Sequence, residues 1–273
     1  MIQRIIPSTG EKIPVIGLGT WQTFDVKDTS EHPELEKVLL AMHESGGTMI
    51  DSSPMYGRSE QVIGEISSQM PARDDFFYAT KVWTTGEAEG IRQMETSLSL
   101  MKRNSMDLVQ IHNLVDWKTH LKTLRKWKEE GKTRYIGITH YVDAMHEELE
   151  KVLKEEPFDF VQFNYSILAR NAEKRLLPAC HELGVATIIN RPFGEGKLFA
   201  NVKDKLLPVW ANALGIDSWA QYFLKYIISH PYISCVIPAT GKPLHAVDNM
   251  EAGSDQQPDE ATRRKMVEYI EHL

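Results

Sequence analysis

The chain has 273 residues, 42% hydrophobic and 25% charged, enough to bury one large core without disulfide or metal staples. Lys and Arg number 31 against 38 Asp and Glu, a formal charge of −7 that excludes nucleic acid or an anionic membrane surface as the main partner. Two cysteines make no disulfide framework, no apolar run approaches the roughly 18 residues of a membrane span, and no secretory leader is legible, so a cytoplasmic globular protein is expected.

Along the chain, short apolar runs alternate with helical patterns, without repeat, linker or low-complexity tract. Ser8-Thr9-Gly10-Glu11 reads as a tight hairpin ahead of this alternation. Residues 15–21 form the first predicted strand. A helix follows with Leu35, Val38, Leu39 and Met42 on one face, and Gly46-Gly47 ends it. Residues 48–51 and 76–82 are the second and third strands. Ile91, Met94, Leu98 and Met101 mark the next helix, 108–112 is the fourth strand, and Trp117, Leu121 and Leu124 line the helix after it. Residues 134–139, 160–164, 185–190 and 235–238 complete the set of eight. Asp143 is the expected N-cap of the helix after strand five, and 219–228 is helical.

Unbroken apolar strands separated by helices indicate a parallel sheet buried on both faces. Eight is the number that closes a barrel. The expected fold is therefore α/β: a (β/α)8 TIM barrel, one domain over residues 1–273, with an N-terminal β-hairpin closing the bottom of the barrel. An open doubly wound sheet is the competitor, but it usually has fewer strands and a glycine fingerprint at its first turn. Here Gly17-x-Gly19 follows no earlier strand, and Gln22 holds the third glycine position. Gly196-Lys197 is no P-loop, because Arg191 stands where the first glycine belongs and Leu198 replaces Ser/Thr. His43-Glu44, His146-Glu147 and His181-Glu182 never complete H-E-x-x-H, so no metal site is expected. The lysines of 117–131 are diluted by Asp116, Glu129 and Glu130 and read as a solvated face.

Barrel sites gather at the C-terminal ends of the strands. That rule selects Asp51 at the end of strand two, Tyr56 in the loop after it, Lys81 near the end of strand three and His112 at the end of strand four. Singly, each has a plainer reading: a loop cap, a rim aromatic, a buried partner for Asp51, a satisfied core histidine. Together they put four ionisable groups at one end of neighbouring strands, which core packing does not need. A free tyrosine has a pKa near 10, and an adjacent ammonium lowers it. A carboxylate beyond the lysine holds that ammonium charged, and a neutral histidine can donate to a carbonyl oxygen. Such a site polarises a carbonyl and delivers a proton to its oxygen. It needs a hydride that no side chain supplies, so a nicotinamide cofactor is implied.

The chain resembles the aldo-keto reductases nearly end to end. Gly17-Leu18-Gly19-Thr20-Trp21 resembles their first-strand signature, and Asp51 through Glu60 resembles the segment D-[ST]-[SA]-x-x-Y-G-x-S-E, with Gly64-Glu65 following. Ala79-Thr80-Lys81-Val82-Trp83 is similar to the lysine strand, and Asp107-Leu108-Val109-Gln110-Ile111-His112 to the D-L-x-x-x-H strand. The resemblance implies Tyr56 as proton donor, Lys81 as the group that tunes it, Asp51 as the anchor of Lys81, and His112 as the residue orienting the carbonyl. It implies NADPH, with NADH also admitted, extended across the barrel mouth. Gln162, Thr139 and His140 take the places of residues that hold the nicotinamide amide. Gly19, Thr20, Trp21 and Asp51, the segment Asn190, Arg191, Pro192, Phe193 and Gly194, and Ala239, Thr240, Lys242, His245, Asp248 and Asn249 complete the implied cofactor set. Trp21, Met55 and Trp83 are expected to line the substrate mouth.

Three positions depart from the family pattern. Asn190 replaces an aromatic residue that stacks on the nicotinamide, Arg191 replaces the following serine, and Ala239 and His245 stand where many relatives carry Lys and Arg for the 2′-phosphate. The expected partner is a small carbonyl compound, and the expected state is a monomer. Two other readings stay open on the sequence alone. One is a Schiff-base lyase using Lys81, although that chemistry wants a neutral lysine and Asp51 would keep it charged. The other is a redox-sensing module that holds the cofactor with little turnover.

Overall fold

The structure, a computed structural model, describes residues 1–254 and 256–273. Strands β1 (Gln3–Ile5) and β2 (Lys12–Pro14) pair antiparallel as a hairpin. Eight further strands follow: β3 (Leu18–Gly19), β4 (Met49–Asp51), β5 (Phe77–Val82), β6 (Met106–His112), β7 (Thr133–Thr139), β8 (Phe160–Asn164), β9 (Ala186–Asn190) and β10 (Cys235–Val236). They lie in chain order in one parallel sheet. Parallel bridges from Ile16 to Val236 and from Gly19 to Ala239 join the first of these strands to the last. The sheet therefore closes, as the α/β barrel expectation requires.

The helices that surround it are α1 (His32–Glu44), α2 (Ser59–Ser67), α3 (Glu87–Leu100), α4 (Trp117–Glu129), α5 (His146–Glu155), α6 (Leu176–Leu183), α7 (Lys197–Asn201), α8 (Trp219–Ile228), α9 (Pro243–Glu251) and α10 (Glu260–Glu271). The stripe Leu35, Val38, Leu39 and Met42 of α1 is buried as its spacing predicts. None of the described helices is long and apolar enough to cross a membrane.

Side chains alternate across a strand, so every second residue points into the barrel. One buried cluster has that parity: Met49, Phe77, Ala79, Leu108, Tyr135, Phe160, Ala186, Ile188 and Cys235. Ile6 and Ile13 of the hairpin region belong to the same cluster, so the hairpin plugs the bottom of the barrel. Continuing two residues further along the same strands gives Asp51, Lys81, Gln110, His112, Gln162 and Asn190. The interior is thus apolar below and polar at the top. Gly137 faces this layer, where a Cβ would meet Gln110 Cγ at 3.1 Å and Phe160 O at 2.9 Å. Glycine there makes room for Gln110.

Some boundaries differ from expectation. Asp143 does not cap the helix after strand five: it starts a 3-10 turn, residues 143–145, and α5 begins at His146. Its carboxylate accepts from Asn164 Nδ2 instead, which ties the turn to β8. The first barrel strand is shorter than 15–21, because Trp21 already turns outward at the rim and is 40% exposed.

Candidate active site

Asp51 closes β4 and is 1% exposed, and Lys81 on the neighbouring β5 is fully buried. Lys81 Nζ donates to Asp51 Oδ2 at 2.5 Å and to the carbonyl of Ser52 at 2.8 Å. The same ammonium lies 5.0 Å from the centroid of the Tyr56 ring. Burial alone would depress the Lys81 ammonium, but Asp51 and Tyr56 outweigh it and hold its pKa above the ordinary value. Burial raises the Tyr56 phenol, with Lys81 pulling in the opposite direction and Asp51 adding to the rise.

Asp51 is held from its other oxygen as well. Gln110 Nε2 donates to Oδ1 at 3.0 Å and Gln162 Nε2 at 2.9 Å. His112, at the end of β6, is 5% exposed and meets the Tyr56 ring edge-on at 5.9 Å. Burial, then the charge of Lys81 and the neighbouring His140, push the imidazole down to about 3. It is neutral across the physiological range.

Asp51, Tyr56 and His112 form one wall of a cavity of about 580 Å³ at the C-terminal mouth of the barrel. Gly19, Thr20 and Trp21 line it from the first strand, Asp51, Met55 and Tyr56 from the second, and Trp83 and His112 from the next two. Thr139, Gln162 and the run Asn190, Arg191, Pro192 and Phe193 close the far side with Ala239. Trp21, Met55 and Trp83 are each about two-fifths exposed, an apolar rim of the kind that marks a binding surface.

Other residues named from the sequence lie elsewhere. Lys81 sits behind Tyr56, outside the cavity surface. His140 turns onto Tyr141, stacking on it at 5.4 Å and accepting from its backbone N–H at 2.9 Å. Gly194 is in the loop after β9, next to the cavity-lining Glu195 and Gly196. Thr240, Lys242, His245, Asp248 and Asn249 run from the end of β10 into α9. Asp248 accepts from Ser218 Oγ and Gln221 Nε2, both at 2.8 Å, which commits its carboxylate to α8.

The structure also adds lining residues that the motifs did not single out, among them Thr23, Asn113, Tyr141, Glu195 and Phe199. Arg191 lies 4.2 Å over the Tyr141 ring and pairs with Glu195 at 2.8 Å. Gln110 was missed too, although a polar residue two before His112 on a buried strand shares its inward face and was a usable signal.

The family model described as "Aldo/keto reductase family" matches residues 15–265. Methylglyoxal reductase YeaE of Escherichia coli (strain K12) is 27% identical over 258 residues, covering 91% of this chain and 89% of that protein. The NADH-specific methylglyoxal reductase of the same organism is 27% identical over 246 residues, covering 78% and 73%. The structure of an aldo-keto reductase from Klebsiella pneumoniae in complex with NADPH superposes with a TM-score of 0.84 at 25% identity, covering 99% of this chain and 96% of that one.

Proposed function

The chain belongs to the aldo/keto reductase family, and on that premise we propose that it reduces an aldehyde or ketone to an alcohol with a hydride from NAD(P)H and a proton from Tyr56. One observation carries the reading: the buried Asp51–Lys81 pair holds an ammonium 5.0 Å from the ring of a tyrosine that lines the cavity.

The cofactor supplies the hydride when bound. Thr139, Gln162 and Asn190 would hold its nicotinamide end, and the loop 191–194 with residues 239–249 its phosphates. Buried polar atoms of cavity residues that lack partners, Asn190 Oδ1, Asn113 Oδ1 and Thr23 Oγ1, fit a wall built around a polar ligand. A structural relative binds NADPH and another relative is NADH-specific, which supports NADPH with NADH as a second donor.

The protein's own groups do the rest. His112 donates a hydrogen bond to the carbonyl oxygen and orients it. As negative charge develops there, Tyr56 gives up its proton, and Lys81 stabilises the phenolate left behind. Asp51 keeps Lys81 charged, so the lysine is a poor amine nucleophile. That pairing, and its burial behind Tyr56, disfavour the Schiff-base reading. In this reading the chain is one domain over residues 1–273, acting as a cytoplasmic monomer on a small carbonyl substrate.

Two relatives are methylglyoxal reductases, so methylglyoxal heads the substrate panel. The test is loss of the near-ultraviolet NADPH absorbance with methylglyoxal and a set of aldehydes, quinones and ketoses. Turnover that disappears in Tyr56→Phe is expected. Tight cofactor binding without turnover on any of them would favour the redox-sensing module instead.

A further inference from the structure

We infer that Gln110 is a positioning residue for the proton-donating group, acting through Asp51. The inference rests on the proposed reaction for its kinetic consequence, but its geometry is independent of it.

Gln110 is fully buried and does not line the cavity, so it is not placed to touch substrate. An ionised carboxylate only accepts hydrogen bonds, so Asp51 fixes the orientation of both amides aimed at it. Oδ2 of Asp51 takes the Lys81 ammonium, while Oδ1 takes Nε2 of Gln110 at 3.0 Å and Nε2 of Gln162 at 2.9 Å. These two donors differ in availability. Gln162 lines the cavity, where a ligand can compete for its amide, and the same Nε2 also lies 3.4 Å from Gln110 Oε1. Gln110 does not line the cavity, so a ligand there does not compete for its amide. Its space is reserved by Gly137, where a side chain would collide with it. A neutral amide in this position holds the carboxylate plane against Lys81 and stabilises its negative charge without adding a charge of its own.

Removing that donor leaves the cluster of Asp51, Lys81 and Tyr56 more negative in effect, so it should hold its last proton more tightly. The other charged or titratable groups around it are Glu60 on α2, His112 on β6, Arg191 after β9 and Cys235 on β10, and none of them changes in the variants below.

The experiment compares Gln110→Met, which keeps the length and loses the donor, with Gln110→Glu. In Gln110→Met, kcat is expected to fall about tenfold, the size of a lost bond to a charged group. KM and the Kd for NADPH should stay within about twofold, and the alkaline limb of the kcat profile should move up by about one pH unit. Gln110→Glu should be impaired at pH 8 and recover as the pH falls, because a protonated carboxyl donates to Asp51 as the amide does. Ultraviolet titration of tyrosinate, read against Tyr56→Phe controls, tests the same upward movement without substrate or cofactor. A folded Gln110→Met with wild-type kcat and an unmoved alkaline limb would overturn the proposal. So would a lowered melting temperature with an unmoved pH profile, which would reduce Gln110 to packing. An inactive wild type whose tyrosinate titration still shifts in Gln110→Met would sink the proposed reaction and leave the positioning role standing.

Discussion

The hydroxyl of Ser53 lies 3.1 Å from Nδ1 of His112, so the tautomer of the imidazole is coupled to the direction in which that hydroxyl bonds. Ser53 Oγ also accepts from the backbone N–H of Met55 at 3.3 Å and has one hydrogen to give, which the role proposed for His112 requires on Nδ1. Burial, with Lys81 and His140, holds His112 down to about 3, so the ring carries one hydrogen and not two. With Nδ1 accepting, that hydrogen is on Nε2, where it can serve a carbonyl in the cavity. Ser53→Ala should lower kcat by up to about tenfold, the worth of one neutral hydrogen bond, and Ser53→Thr should restore most of it. His112 should contribute no limb to the rate profile between pH 5 and 8. An acid limb in that window that is lost in His112→Gln would contradict this assignment.

Tyr56→Phe removes one hydroxyl from a residue whose ring remains packed edge-on against His112. A positioned general acid is typically worth ~10²–10⁴ in rate. The variant should therefore lose carbonyl reduction while its Kd for NADPH changes by no more than a few-fold. Retention of more than about a tenth of wild-type kcat would mean that another group delivers the proton.

Lys81→Met should cost stability as well as rate. Both members of the pair are buried, so the substitution strands the Asp51 carboxylate without its counter-charge. Breaking a buried pair from one side typically costs about 3–5 kcal/mol. Adding Asp51→Asn removes the stranded charge, and the double variant should regain most of the urea midpoint but none of the activity. A single variant as stable as wild type would show that the two amides on Oδ1 suffice to hold the carboxylate.

Glu60 predicts a pH dependence of stability. It is 2% exposed and accepts from Thr80 Oγ1 and from Ser97 Oγ. Burial raises its pKa, and the two hydroxyls and Lys81 offset this only in part. The folded chain thus holds the Glu60 proton more tightly than the unfolded chain does. Its contribution is fully present below the unfolded value, near 4.5, and is lost as the pH rises through the folded value. Glu60→Gln keeps the shape and can still bond both hydroxyls, since a hydroxyl also accepts. The variant should gain a few °C in Tm at pH 8, the equivalent of about 1 kcal/mol, and little at pH 4. Equal shifts at the two pH values, or a loss at pH 8, would refute the assignment.

The barrel was legible because its strands are buried on both faces and so stand out as unbroken apolar runs. Of the four catalytic candidates, Asp51, Lys81 and His112 were legible at or near the ends of such runs, and Tyr56 in the loop after the first of them. The missed residues fall into two physical kinds. Gln110 lies inside an apolar run, where one polar residue looks like noise until its partner on another strand is known. Tyr141 and Glu195 lie in loops, and their place at the cavity depends on backbone turns such as Arg191 at φ +51° that no periodicity announces. His140 is a different case. Motif position put it on the nicotinamide, whereas its ring stacks on the cavity-lining Tyr141 and does not itself line the cavity.

The segment from Thr240 to Asn249 carries the prediction about cofactor choice. Thr240 Oγ1 accepts from the Lys242 backbone N–H at 3.1 Å, so the turn into α9 is closed by its own side chain. Lys242 precedes Pro243 at the first position of the helix, and Lys242 and His245 are both exposed. Amides free of partners at such a helix start favour an anion, but they are shared by any phosphate and give no discrimination on their own. Discrimination for a 2′-phosphate needs directed charge, which a guanidinium supplies bidentately and an ammonium supplies as a point. An imidazole offers at most two donors that point apart and cannot fork onto one phosphate. With Lys242 as the fixed cation and His245 in the second position, the preference for NADPH over NADH should be modest at pH 8. His245→Arg should raise the ratio of the two Kd values about tenfold there, and Lys242→Ala should bring it close to one. Both effects should appear in binding of the 2′-phosphorylated cofactor and leave NADH affinity within about twofold. A ratio indifferent to both substitutions would show that the 2′-phosphate is read by another part of the barrel mouth, with the paired Arg191 as the next cation to test.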